Sequence, residues 1–477
     1  MISTESPIAP ADLFPSIEAM WALSADKIDS IERTCPPGHA SPVFTVEGEY
    51  TAQGWTEWTQ GFQYGAAALQ FDATGDRAML ELARARTRDV MAPHLTHIGV
   101  HDHGFNNIST YGNLWRLAQE GRFEAERGEL DMYELAIKVT GAVQAARWSK
   151  TMDGTGYIYS FNGPQSLFVD TVRSLRALAA SHALGHELHG ERDERISLLG
   201  RLVEHARNTA RYNIWYGGAS RFDSGGGLRD VYDIRGRTSH ESVFNTNNGD
   251  FRCPSTQQGY SAFSTWTRGL AWAMLGYPEQ LEFLVTRTDD ELEPFGGRES
   301  IRAFMLDAAR ATCDFYIEHT SPNGIPYWDT GAPGLAHLGD WSSSNPDPYN
   351  EHEPVDSSAA AIACQGLVRL GEYLKASGED EDAERYTRAG LLTLRTLLSE
   401  PYLSTDSRHQ GLLLHAVYHR PNGWDHVPEG RSIPCGESCM WGDYHLREAA
   451  LYVQRLAKGD PEYRFFGPVA TAAEVAS

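Results

Sequence analysis

Two aspartates stand where acid/base chemistry is expected. In FVDTVRSLRALAASHAL, residues 168–184, an apolar approach delivers Asp170 to the start of an amphipathic helix. Val172, Leu175, Leu178, Ala179 and His182 recur there at helical spacing, giving that helix one buried face. An Asp beside a first turn ordinarily caps free backbone N–H groups. A second carboxylate, Asp102 in GVHDHGFNN, is set in a similar way earlier in the chain. Two carboxylates that open helices inside apolar, aromatic-rich stretches predict an acid/base pair in a cavity. To give a proton near neutral pH, Asp170 needs a raised pKa. Burial and a nearby Asp102 carboxylate would raise it, because like charges resist ionising together. The pair is therefore expected within several ångströms at one mouth of the fold.

The densest polar and aromatic run is STQQGYSAFSTWTRGLAWAM, residues 255–274. Read as a helix from Ser264, it places Arg268 and Trp272 four apart on one face, with Gln258 and Tyr260 in the loop before them. An arginine entering a Trp-lined helix is costly to bury unless it meets an anion, so a ligand carboxylate or sulfate, or a protein Asp, is expected beside it. The alternative is a guanidinium satisfied by backbone carbonyls. Trp58 in EWTQGF and Trp441 in CMWGDYH read as stacking platforms for a sugar ring, with a place in the core as the alternative for each. His240, in the polar loop RTSHESVFNTNNGDF, would serve as a hydrogen-bond donor if held near the carboxylates. The triplet His101-Asp102-His103 suggests a metal, yet adjacent residues cannot all face one ion, and Cys435 and Cys439 form a lone C-x3-C pair. Neither a nucleophile elbow, a phosphate loop nor a dinucleotide fingerprint is present. No metal and no cofactor is expected.

The elements that must hold these residues form a recurring unit. A helix rich in small and aromatic residues ends in Gly followed by an acidic or polar residue, and a charged amphipathic helix begins at once. The pattern is read at Gly75, Gly121, Gly185, Gly276, Gly378 and Gly459. Six such pairs predict an inner ring of six helices inside an outer ring of six, an all-α (α/α)6 barrel spanning residues 1–477 as one catalytic domain. The last unit has lost its outer helix or placed it at the N-terminus. Residues 1–12 read as a loose tail, and two non-helical stretches, 213–260 and 324–356, read as a sugar-binding rim. A closed toroid leaves a funnel at one end, where loops carry the chemistry.

Composition narrows the partners. A net charge of −23 without Lys/Arg clusters argues against nucleic acid, and 41% hydrophobic residues suffice for a large core. Six scattered cysteines are too few for a disulfide scaffold, and no window reaches membrane-helix length. The opening MISTESPIAPADLF lacks a basic n-region and a long apolar run, so a soluble cytoplasmic protein is expected.

Taken together, HDHGF, FVDT, STQQGYSAFSTWTRGLAWAMLGY, PVDSSAAAIACQGL and MWGDYHLREAALY resemble glycoside hydrolase family 88, the unsaturated glucuronyl hydrolases, with family 105 second. These motifs run in family order from about Trp58 to Tyr452. The resemblance implies an (α/α)6 barrel and removal of a 4,5-unsaturated uronic acid from the non-reducing end of lyase-generated oligosaccharides. It further implies hydration of the vinyl ether double bond, then opening of the hemiketal and loss of the glycosidic bond. By motif match, Asp170 aligns with the general acid/base that protonates C4 and activates the water arriving at C5. Asp102 aligns with the second carboxylate, Gln258, Arg268 and Trp272 with further site residues, and Trp58 with the stacking tryptophan. His240 matches by its distance upstream of Gln258. His103 stands where the family has an apolar residue, and the loop 217–253 looks longer than usual. Rival readings are an inverting hydrolase of saturated uronides, a sugar epimerase, and a non-catalytic carbohydrate-binding protein.

Overall fold

Stop and start signals decide where the helices lie. Gly75 takes the left-handed conformation, φ 77°, that a side chain would resist, and ends a helix. Asp76 then caps the next helix by accepting a hydrogen bond from the Ala78 N–H at 2.9 Å. The same alternation carries the chain through the molecule. The computed structural model describes residues 1–4, 7–54, 57–217 and 233–467.

The long helices are α1 (Phe14–Thr34), α2 (Gln60–Thr74), α3 (Arg77–Val90), α4 (Asn113–Gln119, entered through a π-helical turn at Ile108–Gly112) and α5 (Arg127–Ala146). They continue with α6 (Thr171–Ser174), α7 (Arg176–Ala183), α8 (Leu198–Asn213), α9 (Thr267–Val285), α10 (Gly297–His319), α11 (Ser357–Ala376), α12 (Asp380–Leu397) and α13 (Met440–Lys458). Helices α2, α4, the α6–α7 pair, α9, α11 and α13 pack side to side in sequence, and α13 returns to α2, which closes an inner ring. Nearly every residue of α2, α9, α11 and α13 is buried. Outside lie α3, α5, α8, α10 and α12, and α1 fills the sixth outer place against α2 and α13. The missing outer helix is thus the N-terminal one, and the architecture is an (α/α)6 barrel.

Two readings change. The helix expected to end at Gly276 continues to Val285, because this glycine serves close packing rather than a cap. A Cβ there would lie 2.8 Å from a Val172 methyl and 2.9 Å from the Arg173 nitrogen of the neighbouring inner helix. The first residues are not loose, since Ile2 is buried and its N–H donates to the Ile317 carbonyl at 2.9 Å.

The inner helices all begin at the same end of the barrel. Around their starts lie Trp58, Asp102, Asp170, Arg268, Asp356 and Trp441, and farther in lies a buried charge network. There Glu448 of α13 receives Arg173 at 2.5 Å and Arg176 at 3.3 Å, Glu279 also pairs with Arg173, and Arg369 pairs with Glu282 at 2.7 Å. The C-terminal stretch after α13 crosses this far end. Tyr463 donates to Glu448 at 2.9 Å and to Asn113 at 3.0 Å, its carbonyl accepts from Arg369 at 2.9 Å, and Phe465 is buried.

Candidate active site

A small antiparallel sheet brings the first carboxylate to the mouth. Strand β1 (Ser166–Phe168) pairs with β2 (Glu241–Phe244), which pairs in turn with β3 (Phe251–Ser255). The Val169 N–H then donates to the His240 carbonyl at 2.9 Å, so Asp170 and His240 sit side by side at the sheet end. Asp170 opens α6 without capping it: its side chain takes no N–H from the first turn, and Oδ1 is buried with no hydrogen-bond partner. The cap reading therefore fails here, which leaves the carboxylate free for other work. The apolar approach at Phe168-Val169 is the end of a strand, and the single helix expected from Asp170 to Leu184 is divided into one turn of α6 and the two turns of α7.

Asp102 also lacks a capping bond, at the head of the turn His103–Asn106. Between the two carboxylates lies His101, whose Nε2 is 3.6 Å from Asp170 Oδ1 and 3.7 Å from Asp102 Oδ1. It is almost wholly buried, and neither ring nitrogen makes a hydrogen bond. Its ring is stacked on Phe161 and edge-on to Phe168, while its carbonyl is held by Gln144 and Ser174. His103 turns away, contacting Thr140 and the His97 carbonyl. Among the described residues no group of His, Cys, Asp and Glu could hold a metal ion.

The electrostatics differ from the expectation for Asp170. Burial pushes its pKa up, but the close approach of His101 at 3.6 Å, helped by His240, outweighs it and holds the carboxyl below its ordinary value. Asp102 is the raised member, lifted by burial to about 6, with His101 opposing and Asp170 adding. Burial pulls His101 down, yet Asp102 and Asp170 together keep it above the ordinary imidazole value. His101 and Asp102 thus hold a proton to higher pH than Asp170 does.

Around this trio is a cavity of about 380 Å³. Its depths are apolar and aromatic, with Phe105, Trp272 and Trp266, and its rim carries Phe161, Glu57, Trp58, His97, Gln257, Gln258, Tyr418, His419, Asn422 and Trp424. Asp170, Asp102, Trp58, Gln258, Arg268 and Trp272 all line it. Two expected site residues do not. Trp441 is fully buried behind Trp58, the rings stacked at 5.0 Å, with its N–H on Ser358; it supports the platform instead of being one. His240 lies behind the wall between Phe168 and Trp266. Its Nδ1 accepts the N–H groups of Gln257 and Gln258, which assigns the proton of the neutral ring to Nε2, beside Asp170. Burial lowers its pKa to about 4, with Asp170 opposing.

Arg268 is committed to the protein. It donates to the carbonyls of Val417 and Tyr418 and to Gln258 Oε1 at 2.7 Å, lies 3.5 Å from Asp356, and is sandwiched between Trp266 and Trp441. The carbonyl alternative, not a ligand anion, describes it best. Arg268 anchors the segment 417–424, which forms one side of the rim and had no signal in the sequence. Stretch 324–356, expected at the rim, contributes no lining residue, and stretch 213–260 contributes Gln257 and Gln258, with its residues 218–232 outside the described set. His101 was the other omission, although the HDH triplet marked its place.

No family model matches this chain. Among curated proteins it is 24% identical over 426 residues to an unsaturated glucuronyl hydrolase of Bacillus sp. strain GL1, covering 86% of this chain and 90% of that one. It is 27% identical over 419 residues to an unsaturated chondroitin disaccharide hydrolase of Streptococcus pyogenes serotype M1, covering 85% and 84%. Among solved structures, the Bacillus sp. GL1 unsaturated glucuronyl hydrolase superposes with a TM-score of 0.67 at 20% identity, over 96% of this chain and 99% of that one. A Streptococcus agalactiae unsaturated glucuronyl hydrolase mutant, complexed with dGlcA-GalNAc6S, superposes at 0.59 and 19%, over 94% and 96%. The chain thus shares the fold of solved unsaturated glucuronyl hydrolases and is similar in sequence to curated unsaturated glucuronyl hydrolases along most of its length.

Proposed function

We propose that the protein is a glycoside hydrolase that removes a 4,5-unsaturated uronic acid from the non-reducing end of lyase-generated oligosaccharides. The observation that carries this reading is Asp170 Oδ1, buried without a hydrogen bond at the end of an aromatic cavity and joined through His101 to a second carboxylate. The inner helices all start at this end, so their dipoles make the mouth favourable for an anionic sugar although Arg268 is occupied. Trp58 and Trp272 supply apolar faces for the ring.

In this reading Asp170 is the group that touches the reacting atoms. A proton delivered to C4 leaves its carboxylate, which then takes a proton from the water adding at C5, so the side chain ends as it began. The hemiketal opens and the glycosidic bond is lost. Because His101 and Asp102 hold a proton to higher pH than Asp170 does, His101 is the relay that loads Asp170 once substrate displaces water. His240 backs Asp170 from behind the wall, its Nδ1 held by the Gln257 and Gln258 N–H groups and its Nε2 buried without a hydrogen bond. Oligosaccharides ending in an unsaturated uronic acid lose their ultraviolet absorbance when the double bond is hydrated. That decay should occur with the wild type and stop with Asp170→Asn. A folded wild type with no effect on any unsaturated uronide would reject the assignment.

A further inference from the structure

The cavity changes character from depth to rim. His101, Asp102, Phe105 and Trp272 at the bottom are almost wholly buried, whereas Glu57, His97, Asn422 and Trp424 at the rim keep contact with solvent. If the unsaturated ring occupies the depths beside Asp170, the next sugar lies among the rim groups. Those groups include one carboxylate, Glu57, 3.7 Å from His97 Nε2, with 39% of its side chain exposed. Its field reaches inward, since it adds to the forces that raise Asp102.

Among the described lining residues no lysine or free arginine offsets this carboxylate at the rim; His101, held above the ordinary imidazole value, lies in the depths between Asp102 and Asp170, which face it. Among the described residues no lysine lines the cavity, and the arginine that does, Arg268, already donates to two carbonyls and Gln258 between two indole faces. Arg147 lies behind the wall, its guanidinium spent on the carbonyls of Tyr159, Ile98 and Ser160. His419 is no substitute. Burial and then Arg268 bring its pKa down to about 4, so it is neutral, and both of its ring nitrogens face Asn422. What remains at the rim, namely Asn422, Gln257, Gln258 and the indole of Trp424, suits hydroxyl and amide groups on an apolar ring face.

We infer that the sugar next to the scissile bond is uncharged, and that Glu57 rejects lyase products carrying sulfate on that sugar. The inference rests on the function proposed above and names its substrate class. Here the chain parts from its streptococcal neighbour, whose complex holds a 6-sulfated disaccharide. The rejection is repulsion between like charges across a partly wet rim, so it should weaken with salt, whereas a steric block would not.

The test uses the intact protein and two unsaturated uronyl–N-acetylhexosamine disaccharides, one unsulfated and one carrying a single sulfate on the hexosamine. Decay of ultraviolet absorbance gives kcat/KM for each. The unsulfated substrate should lead by about tenfold or more at low ionic strength. That ratio should shrink in Glu57→Gln, shrink further in Glu57→Lys, and fall as sodium chloride is added to the wild type. An equal or better rate on the sulfated disaccharide overturns the inference while leaving the function intact. So does a ratio that neither variant nor salt changes. Consumption of neither disaccharide would remove the function and this inference with it.

Discussion

The two ends of the inner barrel use buried charge in opposite ways. At the far end, Glu448, Glu279 and Glu282 each meet an arginine, and Tyr463 and Tyr444 bond Glu448 as well. Glu448 is held well below the usual carboxylate range, burial being overcome by Arg173 and Arg176. At the mouth, Asp170 and His101 are as deeply placed, yet Asp170 Oδ1 and both imidazole nitrogens lack hydrogen bonds. Paired charges fix helices against one another; charges left short of partners can exchange a proton. The same helices therefore carry a rigid end and a reactive end.

The contrast is tested most strongly by Asp170→Asn, which should lower kcat by about a thousandfold with little change in thermal midpoint. Comparable activity in the variant would show that the mouth's unpartnered carboxylate has no catalytic task. At the opposite end, Glu448→Gln leaves Arg176 without its carboxylate and Arg173 with Glu279 alone, and should cost about 3–5 kcal/mol in urea unfolding. An unchanged denaturation midpoint would mean that the far end tolerates unpaired charge as well as the mouth does.

His101→Gln sharpens the distinction further. In the wild type, the proton held by Asp102 and His101 is lost as pH rises through about 6 and above, so kcat should fall on that side. His101 lowers the pKa of Asp102, so its removal should raise that pKa and move the alkaline limb to higher pH, with kcat down by about 10–100-fold. A limb that stays in place would exclude His101 from the proton path. The smallest effect is expected from Tyr463→Phe, which removes buried hydrogen bonds to Asn113 and Glu448 and should cost about 1–2 kcal/mol with kcat intact.

What could be read along the chain was what is encoded locally. The turn at Gly75-Asp76 and the small-residue helices announce the hairpins, and the barrel follows from their number. The aspartates were visible because each opens a helix in aromatic surroundings. Relations across the chain were not visible. Phe168 pairs with Glu241 only through a sheet, and that pairing sets His240 behind Asp170 rather than in the cavity. Trp441 looks like Trp58 in sequence, but only packing decides which indole shields the other. The rim at Tyr418–Trp424 has no periodicity of its own, being held by Arg268 from a distant helix. The proton's residence could not be read from burial and like charge alone, because His101 lies between the carboxylates and reverses the outcome for Asp170.

The C-terminal stretch across the far end has a consequence for how polymer would be processed. With Tyr463 bridging α4, α11 and α13 there, the barrel is a cup rather than a tube. A chain cannot thread through it, and both products must retreat by the entrance. Each turnover therefore requires a fresh encounter with a chain end, so rate should follow the number of ends present and not the length of the polysaccharide between them.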